Sequence, residues 1–272
     1  MKNAVRIVSI GAAVQDVFLQ GHLFTPKKNG QALVETFELG TKNEVEKVHF
    51  STGGGATNAS VTFARAGLDS WYMGSLGNDI AAKAVLEDLS KDNVTTKLIK
   101  VSKQVGTGYS LILLAPSGER TILTYRGASS RYNITLNDFE KLPKADWFYI
   151  SSLSGDFDSL KNVVAYAVKN GIKIAINPGN KELANHHEFQ ELMPHFTVLS
   201  VNKEEIEQLF GTADMNTLLN KANALVPYVV VTDGPHGCFV GDGKRAYKAG
   251  MYENVKVVDR AGAGDAFCSG FV

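Results

Sequence analysis

Residues 4–12, 71–76, 147–151, 172–176, 197–201 and 228–232 form short apolar runs of strand length, and they alternate with stretches whose apolar residues recur at helical spacing. The helical stretches are 57–66, 80–89, 159–169, 203–210 and 217–225. Strands that are apolar throughout must be covered on both faces, so this rhythm predicts an α/β domain around a mostly parallel sheet. Two segments depart from it. Residues 17–50 and 107–126 hold β-like runs at 32–39, 45–50, 109–114 and 121–125 with no good helix, and Ser117-Gly118 marks a hairpin turn between the last two. They predict a small β-sheet, built from two insertions, that stands over the crevice at the C-terminal ends of the parallel strands.

Composition narrows the function more than the fold. The 272 residues carry 28 Lys+Arg against 28 Asp+Glu, a formal charge of zero, so nothing points to nucleic acid or an anionic membrane. Hydrophobic residues make up 44% and charged residues 21%, the balance of a chain that can bury a core. No apolar run reaches the roughly 18 residues of a membrane span. Lys2 and Arg6 precede the apolar 7–14 as in a short signal peptide, but Arg6, Gly11 and Asp16 interrupt that pattern and favour a buried first strand. Two cysteines, Cys238 and Cys268, are too few for a disulfide scaffold and fit a reducing, cytoplasmic setting. Small molecules are the expected partners.

Two glycine-rich turns carry the candidate chemistry. In Asp259-Arg260-Ala261-Gly262-Ala263-Gly264-Asp265-Ala266-Phe267, the turn runs straight into a helical pattern, which sets unpaired backbone amides at a helix N-terminus beside a carboxylate. Amides that hold a phosphate next to a base suit phosphoryl transfer; a tight turn with Asp265 as a cap is the plain alternative. Gly53-Gly54-Gly55-Ala56-Thr57-Asn58 follows a strand and opens a helix, with Asn58 one turn in. Asn58 occupies the place of the third glycine of a dinucleotide fingerprint, and the Walker pattern is absent from the chain. The adjacent His186 and His187 point apart on a helix and read as a solvated pair, and Cys268 as a small buried residue.

Taken in order, these segments resemble the PfkB carbohydrate kinase family, whose members are ribokinase-like. Gly11 to Asp16 resembles the family's first strand and substrate-binding Asp, and Thr107-Gly108 the strand returning through the lid. Asn202-Lys203-Glu204-Glu205 is similar to the Asn and Glu pair near Mg²⁺ and the phosphates, and Thr232-Asp233-Gly234-Pro235-His236-Gly237 to the nucleotide-binding turn. The resemblance implies a ribokinase-like three-layer α/β sandwich with a small β-sheet lid, one domain over 1–272 with lid insertions at 17–50 and 107–126. It implies transfer of the ATP γ-phosphoryl to a hydroxyl of a sugar, sugar-like compound or nucleoside. Asp265 would be the base, with Gly262, Ala263 and Gly264 as the anion hole. Asp16, Gly54, Gly55 and Asn58 would hold the acceptor. Asn202, Glu205, Thr232, Gly234 and Gly237 would hold the nucleotide, with Glu205 meeting Mg²⁺ through water.

The sequence also departs from the family. Arg260 and Ala261 follow Asp259 where relatives have hydroxylated or small residues, which leaves backbone carbonyls to supply any K⁺ site beside Asp259. Asn177-Pro178-Gly179-Asn180-Lys181 lacks the Asp, Asn and Arg often found there, and 151–154 lacks the acidic sugar contact of some relatives. Relatives continue past the position matching Val272, so the expectation is a kinase incomplete at its C-terminus that is poorly active in this form. A non-catalytic ligand-binding module on the same fold, or an NAD-dependent oxidoreductase, is the alternative. Arg126, where the lid rejoins the core, reads either as a contact for an acidic substrate group or as a surface salt bridge. An exposed β lid invites a homodimer.

Overall fold

The computed structural model describes residues 4–252 and 262–272. In chain order the strands are β1 (Arg6–Ile10), β2 (Val14–Gln20), β3 (Lys27–Asn29), β4 (Ala32–Val34), β5 (Lys47–Gly53), β6 (Asp69–Met73), β7 (Ser75–Gly77), β8 (Lys100–Ser102), β9 (Gly108–Leu114) and β10 (Arg120–Tyr125). They continue with β11 (Trp147–Ile150), β12 (Lys173–Ile176), β13 (Val198–Asn202), β14 (Tyr228–Thr232), β15 (Cys238–Gly241) and β16 (Ala246–Ala249). The helices are α1 (Gly55–Arg65), α2 (Ile80–Lys91), α3 (Phe157–Asn170), α4 (Asn180–Ala184), α5 (His186–Leu192), α6 (Lys203–Phe210), α7 (Met215–Asn223) and α8 (Ala263–Phe271).

The main sheet has the order β16-β15-β14-β13-β12-β11-β1-β6, parallel from β14 to β6 and antiparallel at the β15–β16 edge. Alternation along its apolar strands sorts the core into two layers. Val8, Ile10, Phe148, Ile150, Leu199 and Val231 point to the face covered by α3, α6 and α7, through Leu160, Val163, Ile206 and Leu219. Ile7, Tyr149, Ala175, Val198 and Val230 point to the opposite face, where Ala59 and Phe63 of α1 meet Cys268 of α8. This is the three-layer α/β arrangement that the apolar runs predict. Each buried aliphatic side chain contributes on the order of 1.5–3 kcal/mol, so the sheet's position is set by many such residues rather than by any one. No helix among the described residues is long and apolar enough to cross a membrane.

A second sheet, β10-β9-β2-β5, forms the lid. Its strand β2 begins at Val14, only three residues after β1 ends, so the chain passes from the core into the lid almost at once. The run at 32–39 behaves differently from expectation. Only Ala32–Val34 is a strand, and it pairs with Lys27–Asn29 in an exposed two-stranded hairpin outside the lid sheet. Gly30 takes the left-handed conformation that such a tight turn requires, and three-residue strands exposed on both faces gain too little burial to join a larger sheet.

Candidate functional site

The loops after β1, β11, β13 and β14 leave the main sheet at the C-terminal ends of its parallel strands, where open α/β sheets bind ligands, while the Gly53–Gly55 turn follows β5 of the second sheet. An open cavity of about 1150 Å³ lies between the second sheet, α1, α2 and the start of α8, lined among others by Asp16, Ser51, Gly53, Asn58, Asp88 and Gly262.

The residues expected to hold an acceptor are carried by β2, β5 and α1. Asp16 sits within the lid rather than in a loop, in register with Ser51 of β5 and Ser110 of β9. Its carboxyl packs over Gly53, where any Cβ would overlap it. Burial pushes the Asp16 pKa up; a hydrogen bond to Ser110 opposes this and the nearby Asp265 charge adds to it. Gly54, at φ 109°, caps α1 in a conformation costly for other residues, and a Cβ there would overlap the Ala12 carbonyl. The turn is held by the Thr57 hydroxyl, which donates to the carbonyls of Gly53 and Gly54 at 2.7 and 2.8 Å.

The two glycine turns meet at one hydrogen bond. Asn58 Nδ2 donates to Asp265 Oδ2 at 2.8 Å, across 207 residues of sequence. Asp265 lies in the first turn of α8, whose N-cap Gly262 is left-handed at φ 70°. The first bond within that helix is the Ala266 amide to the Gly262 carbonyl, so the amides of Ala263, Gly264 and Asp265 have no partner inside it. Gly262, Ala263 and Gly264 are exposed. One turn further, the Ser200 hydroxyl lies 2.7 Å from Cys268 Sγ, which fixes α8 against β13; burial there pushes the Cys268 thiol up to about 11.

The nucleotide-side candidates follow β13 and β14. Asn202 and Thr232 are register partners at the ends of β13 and β14, so two motifs 30 residues apart stand side by side. Asn202 and Glu205 form a capping box: the Glu205 amide donates to Asn202 Oδ1 and the Asn202 amide to Glu205 Oε2, each at 2.8 Å. This is the plain structural reading, and it leaves Glu205 Oε1 without a hydrogen-bond partner among the described residues. Burial raises the Glu205 pKa, against the Asn202 amide bond, so the charged form is disfavoured there. Gly234 and Gly237 shape the turn after β14, with φ of 51° and 89°, and Lys203 stands 3.8 Å from Asp233. Asp259 lies outside the described residues. His186 and His187 are exposed, and no cluster of three potential metal ligands occurs among the described residues.

Sequence reasoning missed Glu182. It is 2% exposed and its carboxylate accepts four hydrogen bonds: from the amides of Leu153 and Gly155 at 2.8 Å, and from the Gly179 amide and Ser152 hydroxyl at 3.0 Å. It thus welds the start of α4 to the loop after β11. Ser154 of that loop, left-handed at φ 59°, donates to the Ser129 carbonyl, and the Ser129 hydroxyl donates to the Ala13 carbonyl just before the lid. The one visible signal was the three-residue spacing from Gly179 to Glu182, a capping spacing without the usual hydroxylated first residue.

Residues 27–272 match the pfkB family carbohydrate kinase profile. The chain belongs to that family. Among its pfkB relatives, a ribokinase from Haemophilus influenzae is 26% identical over 229 residues, covering 81% of this chain and 72% of that protein. An ATP-dependent ribose-1-phosphate kinase from Halopiger xanaduensis is 23% identical over 273 residues, covering 98% of this chain and 84% of that one. In fold, this pfkB chain resembles the ribokinase of Arabidopsis thaliana complexed with ribose and ATP, with a TM-score of 0.78, 21% identity and coverage of 99% and 85%.

Proposed function

We propose that this chain transfers the γ-phosphoryl group of ATP to a hydroxyl of a sugar, sugar-like compound or nucleoside. The observation that carries this reading is the Asn58–Asp265 hydrogen bond, which joins the acceptor-side turn to a carboxylate beside three amides that have no partner inside the helix. Asp16, Gly54, Gly55 and Asn58 hold the acceptor hydroxyls. Asp265 accepts the proton of the attacking hydroxyl as its oxygen bonds to the γ-phosphorus and the bond to the β–γ bridging oxygen breaks, so ADP leaves with that electron pair. The amides around Gly262, Ala263 and Gly264 stabilise charge on the moving group.

Asn202, Glu205, Thr232, Gly234 and Gly237 form the nucleotide side, and the Glu205 oxygen outside the capping box fits a water on Mg²⁺. The metal, when bound, neutralises phosphate charge. The segments 17–50 and 107–126 are insertions that cover the cleft and exclude water. The outer face of the lid, opposite Asp16, exposes Val48, Phe50, Tyr109, Leu123 and Tyr125. A second copy of the chain covers that face in this reading, and sedimentation at the mass of one chain would overturn it.

The test of the phosphotransfer reading is Asp265→Asn. Acceptor-dependent ADP release is expected to fall by at least about a hundredfold while calorimetric binding of the acceptor survives. Undiminished ADP release would reject the base.

A further inference from the structure

Arg126 is the residue that the mechanism leaves unused. It follows β10 directly, and the register of the lid fixes where it stands. Tyr125 pairs with Tyr109, and a Cβ at Gly108 would lie 2.9 Å from the Arg126 carbonyl oxygen, so Arg126 is opposite Gly108. Gly108 in turn pairs with Val14, on the strand that holds Asp16. Strands lie about 4.8 Å apart, which puts Arg126 about 10 Å from that strand, within the length of its own side chain plus a small ligand. The guanidinium turns to the core: Nη1 lies 3.4 Å from the Ser154 hydroxyl, in the loop after β11. The arginine therefore runs from the end of β10 to the loop after β11, level with Val14, two residues before Asp16.

No carboxylate among the described residues forms an ion pair with Arg126, so the salt-bridge reading of this position is not met there. Two carboxylates of the adjoining segments, Asp156 and Glu182, are engaged by other donors. Asp156 accepts from the amides of Tyr132, Asn133 and Ser159 and from the Ser159 hydroxyl, and Glu182 takes its four donors. Lys181, exposed and packed along Gly155, adds a second cation to the same loop. Where a neutral sugar would need hydrogen-bonding partners of both kinds, this position beside β2 offers a planar, permanently charged donor.

We propose that Arg126 recognises an anionic group on the acceptor, so that the preferred acceptor carries a phosphate monoester or a carboxylate at the end away from the hydroxyl that is phosphorylated. The proposal rests on the phosphotransfer reading for its site, and its test does not require turnover. Calorimetry without nucleotide would compare D-ribose with D-ribose 1-phosphate, D-ribose 5-phosphate and D-gluconate, on the wild type and on Arg126→Ala and Arg126→Lys. At least one anionic probe is expected to bind tenfold to a hundredfold more tightly than ribose. Arg126→Ala should bring that ratio to within about threefold of one, and Arg126→Lys should restore part of it. Preference for a phosphate ester or for gluconate identifies which anion is read. Ribose binding as well as or better than every anionic probe, or a ratio that Arg126→Ala leaves intact, would overturn the proposal. ADP release with each probe, measured alongside, reports on phosphotransfer separately.

Discussion

Two glycine-rich helix starts meet at the Asn58–Asp265 hydrogen bond, and they are built in opposite ways. At the start of α1, Gly53 and Gly54 are hemmed in by the Asp16 carboxylate and the Ala12 carbonyl, so neither has space for a side chain. At the start of α8, no described atom lies within 4 Å of where a Cβ on Gly262 or Gly264 would be. Glycine is present in the first turn because the protein itself fills the space, and in the second where space is left. A turn packed shut holds residues in position; a turn left open, with amides that have no partner inside their helix, is where an anion can sit.

Gly54→Ala tests the packed turn most directly. Left-handed strain and overlap with the Ala12 carbonyl should cost about 3–5 kcal/mol, read as a loss in denaturant midpoint at unchanged slope. A cost below about 1 kcal/mol would mean that the first turn yields easily and that the contrast is false. Gly264→Ala should act with the other sign on stability, raising it by up to about 1 kcal/mol because alanine is the better helix residue. Turnover should nonetheless fall at least about tenfold, since the new methyl group crowds the amides proposed to hold the phosphoryl group. A stable, fully active Gly264→Ala protein would move the anion hole elsewhere.

Asp16→Asn sharpens the comparison on the acceptor side and has the smallest effect. Because the folded Asp16 pKa is raised, the native state holds its proton more tightly than the unfolded chain. Stability from this group is present below the ordinary value of 3.8 and is lost as pH rises through the folded pKa. The variant should therefore melt slightly higher than wild type at pH 7, with the difference shrinking toward zero below about pH 4. A difference that stays constant from pH 4 to 8 would show that burial and Asp265 do not perturb Asp16.

Much of the core was readable from sequence because fully buried parallel strands leave continuous apolar runs. The run at 147–151 became Trp147–Ile150, and that at 228–232 became Tyr228–Thr232 without change. The lid was harder. Strand β2 was overlooked because only Gly11–Ala13 separate it from β1, too little punctuation to divide one apolar stretch into two strands. At 32–39 the apolar pattern promised more strand than the exposed hairpin could stabilise. Asn202 and Glu205 were foreseen both as a capping box and as a nucleotide contact, and local spacing alone identifies the first. Glu182 was hidden because its partners at Ser152, Leu153 and Gly155 lie 27 to 30 residues away.

The sequence by itself determined the α/β class, the order of the motifs and the conformation each glycine turn demands, since these follow from periodicity and from steric limits on neighbouring residues. Only the tertiary structure decided that Asn58 reaches Asp265, that Asn202 stands beside Thr232, and that Arg126 leans on Ser154 instead of a surface carboxylate. Those contacts depend on strand order and register. Both are set by burial summed over the whole sheet, and no local window of sequence contains that sum.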